Sequence, residues 1–222
     1  MTEWRQLVVP GVVMLLLISL APAGATATTV CVEIVNCALE SGGTVTVPVQ
    51  ITNATGLGGC DINVTYDASV VHVTDVISGN MELLTHMINN ESGWVRMNAI
   101  NITGQSGDAV PANLKLTATG DAGSVSTLCV ADATLIDPGY EIVPQVTGDG
   151  TCTIFLNGDA DSDRRVDMHD AIYLMQHLLG VTGFEEIVPE AADVNGDGEV
   201  TSHDAMYLAK HLIGISGYEK LM

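Results

Sequence analysis

The chain has 222 residues, with 27 Asp plus Glu against 7 Lys plus Arg and a formal net charge of −20. So acidic a surface is a poor match for nucleic acid, whose phosphates are held by Lys and Arg. The length suits one sandwich-sized domain with a small one appended.

Residues 1–27 read as a secretory signal. Arg5 supplies a positive start, Val8 to Leu20 is almost wholly apolar, and Ala25-Thr26-Ala27 is a small-residue cleavage site. The apolar run is too short for a comfortable membrane span, and the alternative is an uncleaved N-terminal anchor. The mature chain is expected to begin at Thr28 and to be secreted, with no membrane span of its own. Secretion permits disulfides. The five cysteines, Cys31, Cys37, Cys60, Cys129 and Cys152, leave at least one thiol unpaired or intermolecular.

Residues 28–156 read as strands throughout. TVTVPVQIT (44–52), CDINVTY (60–66) and VVHVTDVI (70–77) alternate apolar and polar residues; WVRMNAI (94–100), LKLTAT (114–119), STLCVADATLI (126–136) and TCTIFL (151–156) complete the set. Turn clusters rich in Gly, Asn, Asp and Ser separate them. The pattern predicts an all-β jelly-roll sandwich. MELLTHMIN (81–89) fits either a helical turn or an irregular strand. Ile62, Val64 and Tyr66 take the inward face, so Asn63 points outward. Four Asn-x-Ser/Thr sequons, at Asn53, Asn63, Asn90 and Asn101, are candidate glycosylation sites in a secreted protein.

The phrase GLGGCDINVTYDASVVHVTDV, then WVRMNAINITGQSG, LKLTATG and a strand running into DPGYEIVP, resembles the order of events in a cohesin module. The resemblance implies that strands 60–66 and 126–136 are neighbours, with Cys60 facing Cys129 as a disulfide. It also implies that the first and last strands pair, bringing Cys152 to Cys31 or, less favourably, to Cys37. The docking surface it implies is the sheet holding 60–66, 94–100 and 126–136.

Residues 157–222 read as a small all-α domain of two units offset by 34 residues, with thirteen of 29 positions identical between 159–187 and 193–221. Each opens on a twelve-residue acidic run, DADSDRRVDMHD (159–170) and DVNGDGEVTSHD (193–204). Oxygen-bearing side chains stand at the first, third, fifth, ninth and twelfth places: Asp159, Asp161, Asp163, Asp167 and Asp170, then Asp193, Asn195, Asp197, Thr201 and Asp204. That is the ligand spacing of an EF-hand calcium loop, whose seventh place, here Arg165 and Glu199, gives only its carbonyl. Two calcium ions are expected. The sixth place needs φ > 0 and holds Gly198 in the second loop but Arg164 in the first, so the first loop is expected to bind more weakly. An apolar helix-periodic segment follows each run: Ala171, Ile172, Leu174, Met175, Leu178 and Leu179, then Ala205, Met206, Leu208, Ala209, Leu212 and Ile213, read as one buried stripe per helix. Gly180 and Gly214 stop the helices.

Loop–helix repeats ending in Asp resemble a dockerin module. The resemblance implies a recognition face at Met168, His169, Gln176 and His177 in the first repeat and at Ser202, His203, Lys210 and His211 in the second. The junction at Asn157-Gly158 is short, and Phe155 or Leu156 is expected to pack on Tyr218. Together the two resemblances imply a non-catalytic extracellular scaffolding adaptor, partnered by cohesin- or dockerin-bearing proteins or by itself head-to-tail. The alternative reading is a carbohydrate-binding or surface-layer protein with a calcium-stabilised tail. No nucleophile–base–orienter set is visible, and the paired carboxylates are committed to metal.

Overall fold

Two long strands organise the sandwich. The computed structural model describes residues 29–221; the expected signal segment lies outside them. The ten strands are β1 (Val30–Ile34), β2 (Cys37–Glu40), β3 (Thr44–Thr65), β4 (Val71–Ser78), β5 (Glu82–Asn89), β6 (Trp94–Ala118), β7 (Val125–Ile136), β8 (Ile142–Val143), β9 (Gln145–Gly148) and β10 (Gly150–Phe155). β3 and β6 pair antiparallel over nearly their whole lengths, from Thr44 opposite Thr117 to Thr65 opposite Trp94. The sequence reads each as two strands, because TNATGLGG and TGQSGD look like turns. In the fold these stretches are bulges. The register slips repeatedly between Val49 and Gly59, and left-handed residues sit on both strands there: Asn53 (φ 59°), Gly56 (64°), Gly104 (74°) and Gly107 (87°). A bulge bends a strand without ending its pairing, so each long strand serves both layers.

One layer runs β4, the second half of β6, the first half of β3, β1 and β9; the other runs β5, the first half of β6, the second half of β3, β7, β10 and β2. Alternation fills the space between them. Val47, Val49 and Ile51 from one half of β3, Ile62 and Val64 from the other, and Val95, Met97, Leu114 and Leu116 of β6 are all buried in one core. Segment 81–89 is a strand, β5, because β6 offers it an edge.

The neighbours expected of 60–66 and 126–136 are present, but the disulfide is not. In the antiparallel register Cys60 lies opposite Leu135 and Cys129 opposite Thr65. The two cysteines are thus five positions apart, roughly 17 Å at strand rise, far beyond a disulfide's reach. Nor does Cys31 meet Cys152. Cys31 lies between Thr52 and Val146, whereas β10 runs parallel to β2 and sets Cys152 opposite Cys37.

Asn63 is on the outer face, with Ile62, Val64 and Tyr66 buried as expected. Asn90 is spent internally. Its Oδ1 accepts from the Tyr66 hydroxyl (2.7 Å) and the Val73 N–H (3.0 Å), and its Nδ2 donates to the Val73 carbonyl (3.0 Å).

The tail holds α1 (Met168–Leu178), the short α2 (Pro189–Ala192) and α3 (Ser202–Leu212). Two small cores hold it together, and they exchange residues between repeats. One joins Ala160, Tyr173, Leu174 and Ile187 to Val200 and Ala205; the other joins Val194, Tyr207, Leu208 and Leu221 to Val166 and Ala171. Each of these six residues of the first maps onto one of the six of the second by the 34-residue offset, forwards or backwards. The packing therefore has an internal two-fold, and neither repeat can complete its core alone. The expected clasp is made by other residues: Tyr218 packs edge-on to Tyr207 at 4.8 Å, and Phe155 completes β10 opposite Glu40. The chain end is fastened by Leu221, whose Cδ1 would be 2.8 Å from any Cβ at Gly158 (φ 93°).

Replacing Asn90 by Ala leaves the buried Tyr66 hydroxyl and the Val73 amide without their partner. It should cost about 3 kcal/mol in a urea melt. Made in a glycosylating host, the native chain should carry no glycan at Asn90, because a sugar on Nδ2 displaces the bond to Val73.

Candidate functional site

Each acidic run closes on itself by the same hydrogen bonds. In the first, Asp159 accepts from the N–H groups of Asp163 (3.0 Å) and Arg164 (2.9 Å), Asp161 from Asp163 (3.1 Å), and Asp163 from Arg165 (2.8 Å). In the second, Asp193 accepts from Asp197 (3.2 Å) and Gly198 (2.8 Å), Asn195 from Asp197 (2.9 Å), and Asp197 from Glu199 (2.9 Å). The last aspartate ties loop to helix. Asp170 accepts from Ala160 (2.8 Å), Asp161 (3.3 Å) and Asp167 (2.8 Å), and Asp204 from Asn195 (3.3 Å) and Thr201 (2.8 Å).

These folds demand left-handed backbone at two places, the fourth and the sixth. The second loop has glycine at both, Gly196 (φ 72°) and Gly198 (87°); the first has Ser162 (61°) and Arg164 (71°). The sixth place is legible from the sequence. The fourth is missed there, although the Gly–Ser difference was its signal.

One carboxylate oxygen each from Asp159, Asp161 and Asp170 lies within 4.8 Å of the others. Asp159 and Asp170 are buried. Burial pushes both carboxyls above the ordinary range, and neighbouring carboxylates add to it, against the pull of backbone N–H donors. An all-oxygen, multiply anionic and partly buried donor set fits a hard cation of calcium's kind. A bound ion would supply the positive charge that these groups lack. Asp163 is exposed and outside this cluster. Asp167 and Thr201 are N-caps: their side chains accept from the His169 (2.7 Å) and His203 (3.2 Å) N–H groups, completing a capping box with Asp170 and Asp204.

The helices end as their glycines predict. Gly180 N–H bonds the His177 carbonyl and Val181 N–H that of Gln176; Gly214 and Ile215 repeat this with His211 and Lys210. This double bond pattern is a Schellman stop. The buried faces are narrower than expected. Ala171 and Leu174, with Ala205 and Leu208, go inside, but Ile172 is 50 % exposed, Leu179 72 % and Ile213 65 %, and Met175 and Met206 are exposed too. Among the described residues, α1, α3 and the single turn of α2 leave no second layer to cover them. On α1 the outward residues Met168, Ile172, Met175 and Leu179 form a stripe at helical spacing.

The eight positions expected on the recognition face divide. Met168, His169, Ser202 and His203 are exposed, and Gln176 lines a groove with His169, Ile172 and Phe184. His177 and His211 are each held in place by a bond within the tail: Nδ1 of each donates to a carbonyl at 2.7 Å, of Phe184 and of Tyr218. Lys210 lies over the Tyr218 ring at 4.5 Å and donates to its hydroxyl.

On the sandwich, Asp61 of β3 and Arg96 of β6 form a two-pronged ion pair on the outer face. The Arg96 guanidinium holds the Asp61 carboxyl below the usual range. Nearby, Ala99, Ile100, Thr134 and Ile136 line a shallow apolar trough on the same sheet. Asn63, Thr65 and Trp94 border Arg96.

Family models match this chain in two places, a cohesin domain over residues 30–154 and a dockerin type I domain over 157–213. Similar solved structures include a non-cellulosomal cohesin from the archaeon Archaeoglobus fulgidus, 22% identical, TM-score 0.52, covering 57% of this chain and 91% of that one. A type I cohesin–dockerin complex from Clostridium thermocellum matches at 15% identity and TM-score 0.53, covering 58% of this chain and 100% of that one. The sixth cohesin of Acetivibrio cellulolyticus scaffoldin B, in complex with a Cel5 dockerin, matches at 22% and 0.51, covering 57% and 99%. These likenesses show the fold. No curated protein matches the chain.

Arg164→Gly removes the left-handed penalty of about 1 kcal/mol at the sixth place. A divalent cation held by the first loop should bind about fivefold more tightly in titration calorimetry. Arg96→Met frees Asp61, whose pKa should rise to the usual carboxylate range in NMR titration. The ion pair stabilises above the unfolded carboxyl pKa and is lost as pH falls through the lower folded value, so wild type and variant should converge in acid.

Proposed function

Because the chain belongs to the cohesin family and carries a dockerin type I domain behind its cohesin domain, we propose that it is a two-ended extracellular adaptor. Both modules are interaction modules and neither is catalytic. The front module, residues 28–156, is a socket for the dockerin of another protein. The tail, 157–222, is a plug for another cohesin, and it takes two calcium ions, one per loop, through Asp159, Asp161, Asp163, Asp170 and the Arg165 carbonyl, and through Asp193, Asn195, Asp197, Asp204 and the Glu199 carbonyl. Asp167 and Thr201, held as caps, reach their ions through water. The observation that carries this reading is the presence of both complementary halves in one chain, on a junction of two residues.

The plug's contact surface is the exposed apolar stripe of α1 with the loop-end residues Met168 and His169, and on α3 Met206 and Ile213 with Ser202 and His203. Calcium acts at a distance from that surface. It fixes the loop to the helix start, so less ordering remains to be lost on docking. On the socket, the Asp61–Arg96 pair beside an apolar trough supplies a charged rim and an uncharged floor. The internal two-fold of the plug allows a partner to seat in two orientations related by a half turn, with α1 the more apolar of the two faces. Head-to-tail self-docking is a variant of the same reading. A heterologous contact whose rotation does not close into a ring builds chains.

A pull-down from the native secretome, with the whole protein as bait, should capture cohesin- or dockerin-bearing proteins in calcium and lose those held by the plug in chelator. Undiminished capture by the tail after chelation removes the reading. Ile172→Asp should weaken plug-mediated capture more than tenfold, with helical circular dichroism unchanged. Light scattering across concentration separates the variants: growth with calcium supports self-docking, and a constant monomer leaves only foreign partners.

A further inference from the structure

Among the described residues β2 is a four-residue edge strand that ladders only with β10. In that parallel ladder Cys37 and Cys152 are register partners. Directly paired residues on adjacent strands stand about 5 Å apart, within the Cα spacing that a disulfide spans. The two thiols perturb one another across this pairing, which raises Cys37 and lowers Cys152 from the ordinary thiol range. Cys152 is fully buried. Cys37 is half-buried and borders a groove formed with Thr151 and, from the tail, Ile187, Val188 and Pro189. The other three cysteines face no sulfur: Cys31 lies opposite Thr52 and Val146, Cys60 opposite Ala99 and Leu135, Cys129 opposite Thr65.

We infer that Cys37 and Cys152 form the chain's one intramolecular disulfide, a staple from the edge strand β2 to the strand that leads into the tail. The oxidant is a small disulfide of the glutathione class. Cys37, the accessible sulfur, attacks it as the thiolate; its proton goes to solvent, and one glutathione thiolate leaves. Cys152 then loses its proton and attacks the Cys37 sulfur of the mixed disulfide, expelling the second glutathione. Two protein thiols and one glutathione disulfide become one protein disulfide and two glutathione thiols. The loop closed by the bond runs from the second strand to the last, nearly the whole sandwich, so the unfolded chain loses much of its freedom.

The test is made on the full chain, equilibrated with oxidised or with reduced glutathione, then alkylated and mapped by mass spectrometry without reduction. The expected result is a linked peptide pair containing Cys37 and Cys152, with Cys31, Cys60 and Cys129 alkylated once unfolded. The oxidised form should melt on the order of 10 °C higher than the reduced form. Cys37→Ser, at the half-buried position, should fold and abolish that difference, and Cys60→Ser should retain it. Alkylation of both Cys37 and Cys152 after oxidation, or a linked pair involving any other cysteine, overturns the inference. So does a redox-dependent melting shift that survives in Cys37→Ser.

Discussion

A single carboxylate in each repeat fastens the helix to its loop. Asp170 accepts from N–H groups at both ends of the first run, Ala160 and Asp161 at the start and Asp167 at the helix entrance. Asp204 does the same between Asn195 and Thr201. Among the described residues these two side chains and Asp159 are the buried acidic groups. A buried charge is tolerated when hydrogen bonds and a counter-charge surround it. The backbone supplies the first, and a bound ion would supply the second. The direction in which each helix leaves its loop depends on this constraint, and so does every outward side chain on it.

The second level of organisation is the exchange between the two small cores. Leu174 is completed by Ala205 and Val200 from the other repeat, and Leu208 by Ala171 and Val166. A unit of one loop and one helix has too little apolar surface to fold by itself. Pairing two such units by a two-fold solves this, and it necessarily presents two related outer faces. The paired His–carbonyl bonds, at 2.7 Å in both repeats, and the paired aromatic contacts of Tyr173 with Phe184 and Tyr207 with Tyr218 carry the same symmetry to the far end of each unit.

Much of this was legible in the residues. Ligand spacing and helix-stopping glycines are local, and local chemistry is written in adjacent positions; the capping boxes at Asp167 and Thr201 were missed, because the same residues stand at the ninth ligand place. The neighbourhood of strands 60–66 and 126–136 was legible through resemblance. Register was not: Cys60 faces Leu135 instead of Cys129 because a ladder is set by the sum of its pairings. The stripes of α1 and α3 were misread for a related reason. Helical period shows which residues share a face, whereas burial of Ile172 or Ile213 depends on whether anything is left to cover it. His177 and His211 recur at matching places because each holds a carbonyl, a role that recurrence alone does not separate from recognition.

The junction has a mechanical meaning. Tension applied to the tail enters the sandwich at the end of β10, which has β2 on one flank and β7 on the other. A pull along that strand loads both ladders sideways and at once, so they must fail together instead of unzipping rung by rung. A tether between a moving cargo and a fixed anchor gains most from being attached in that way.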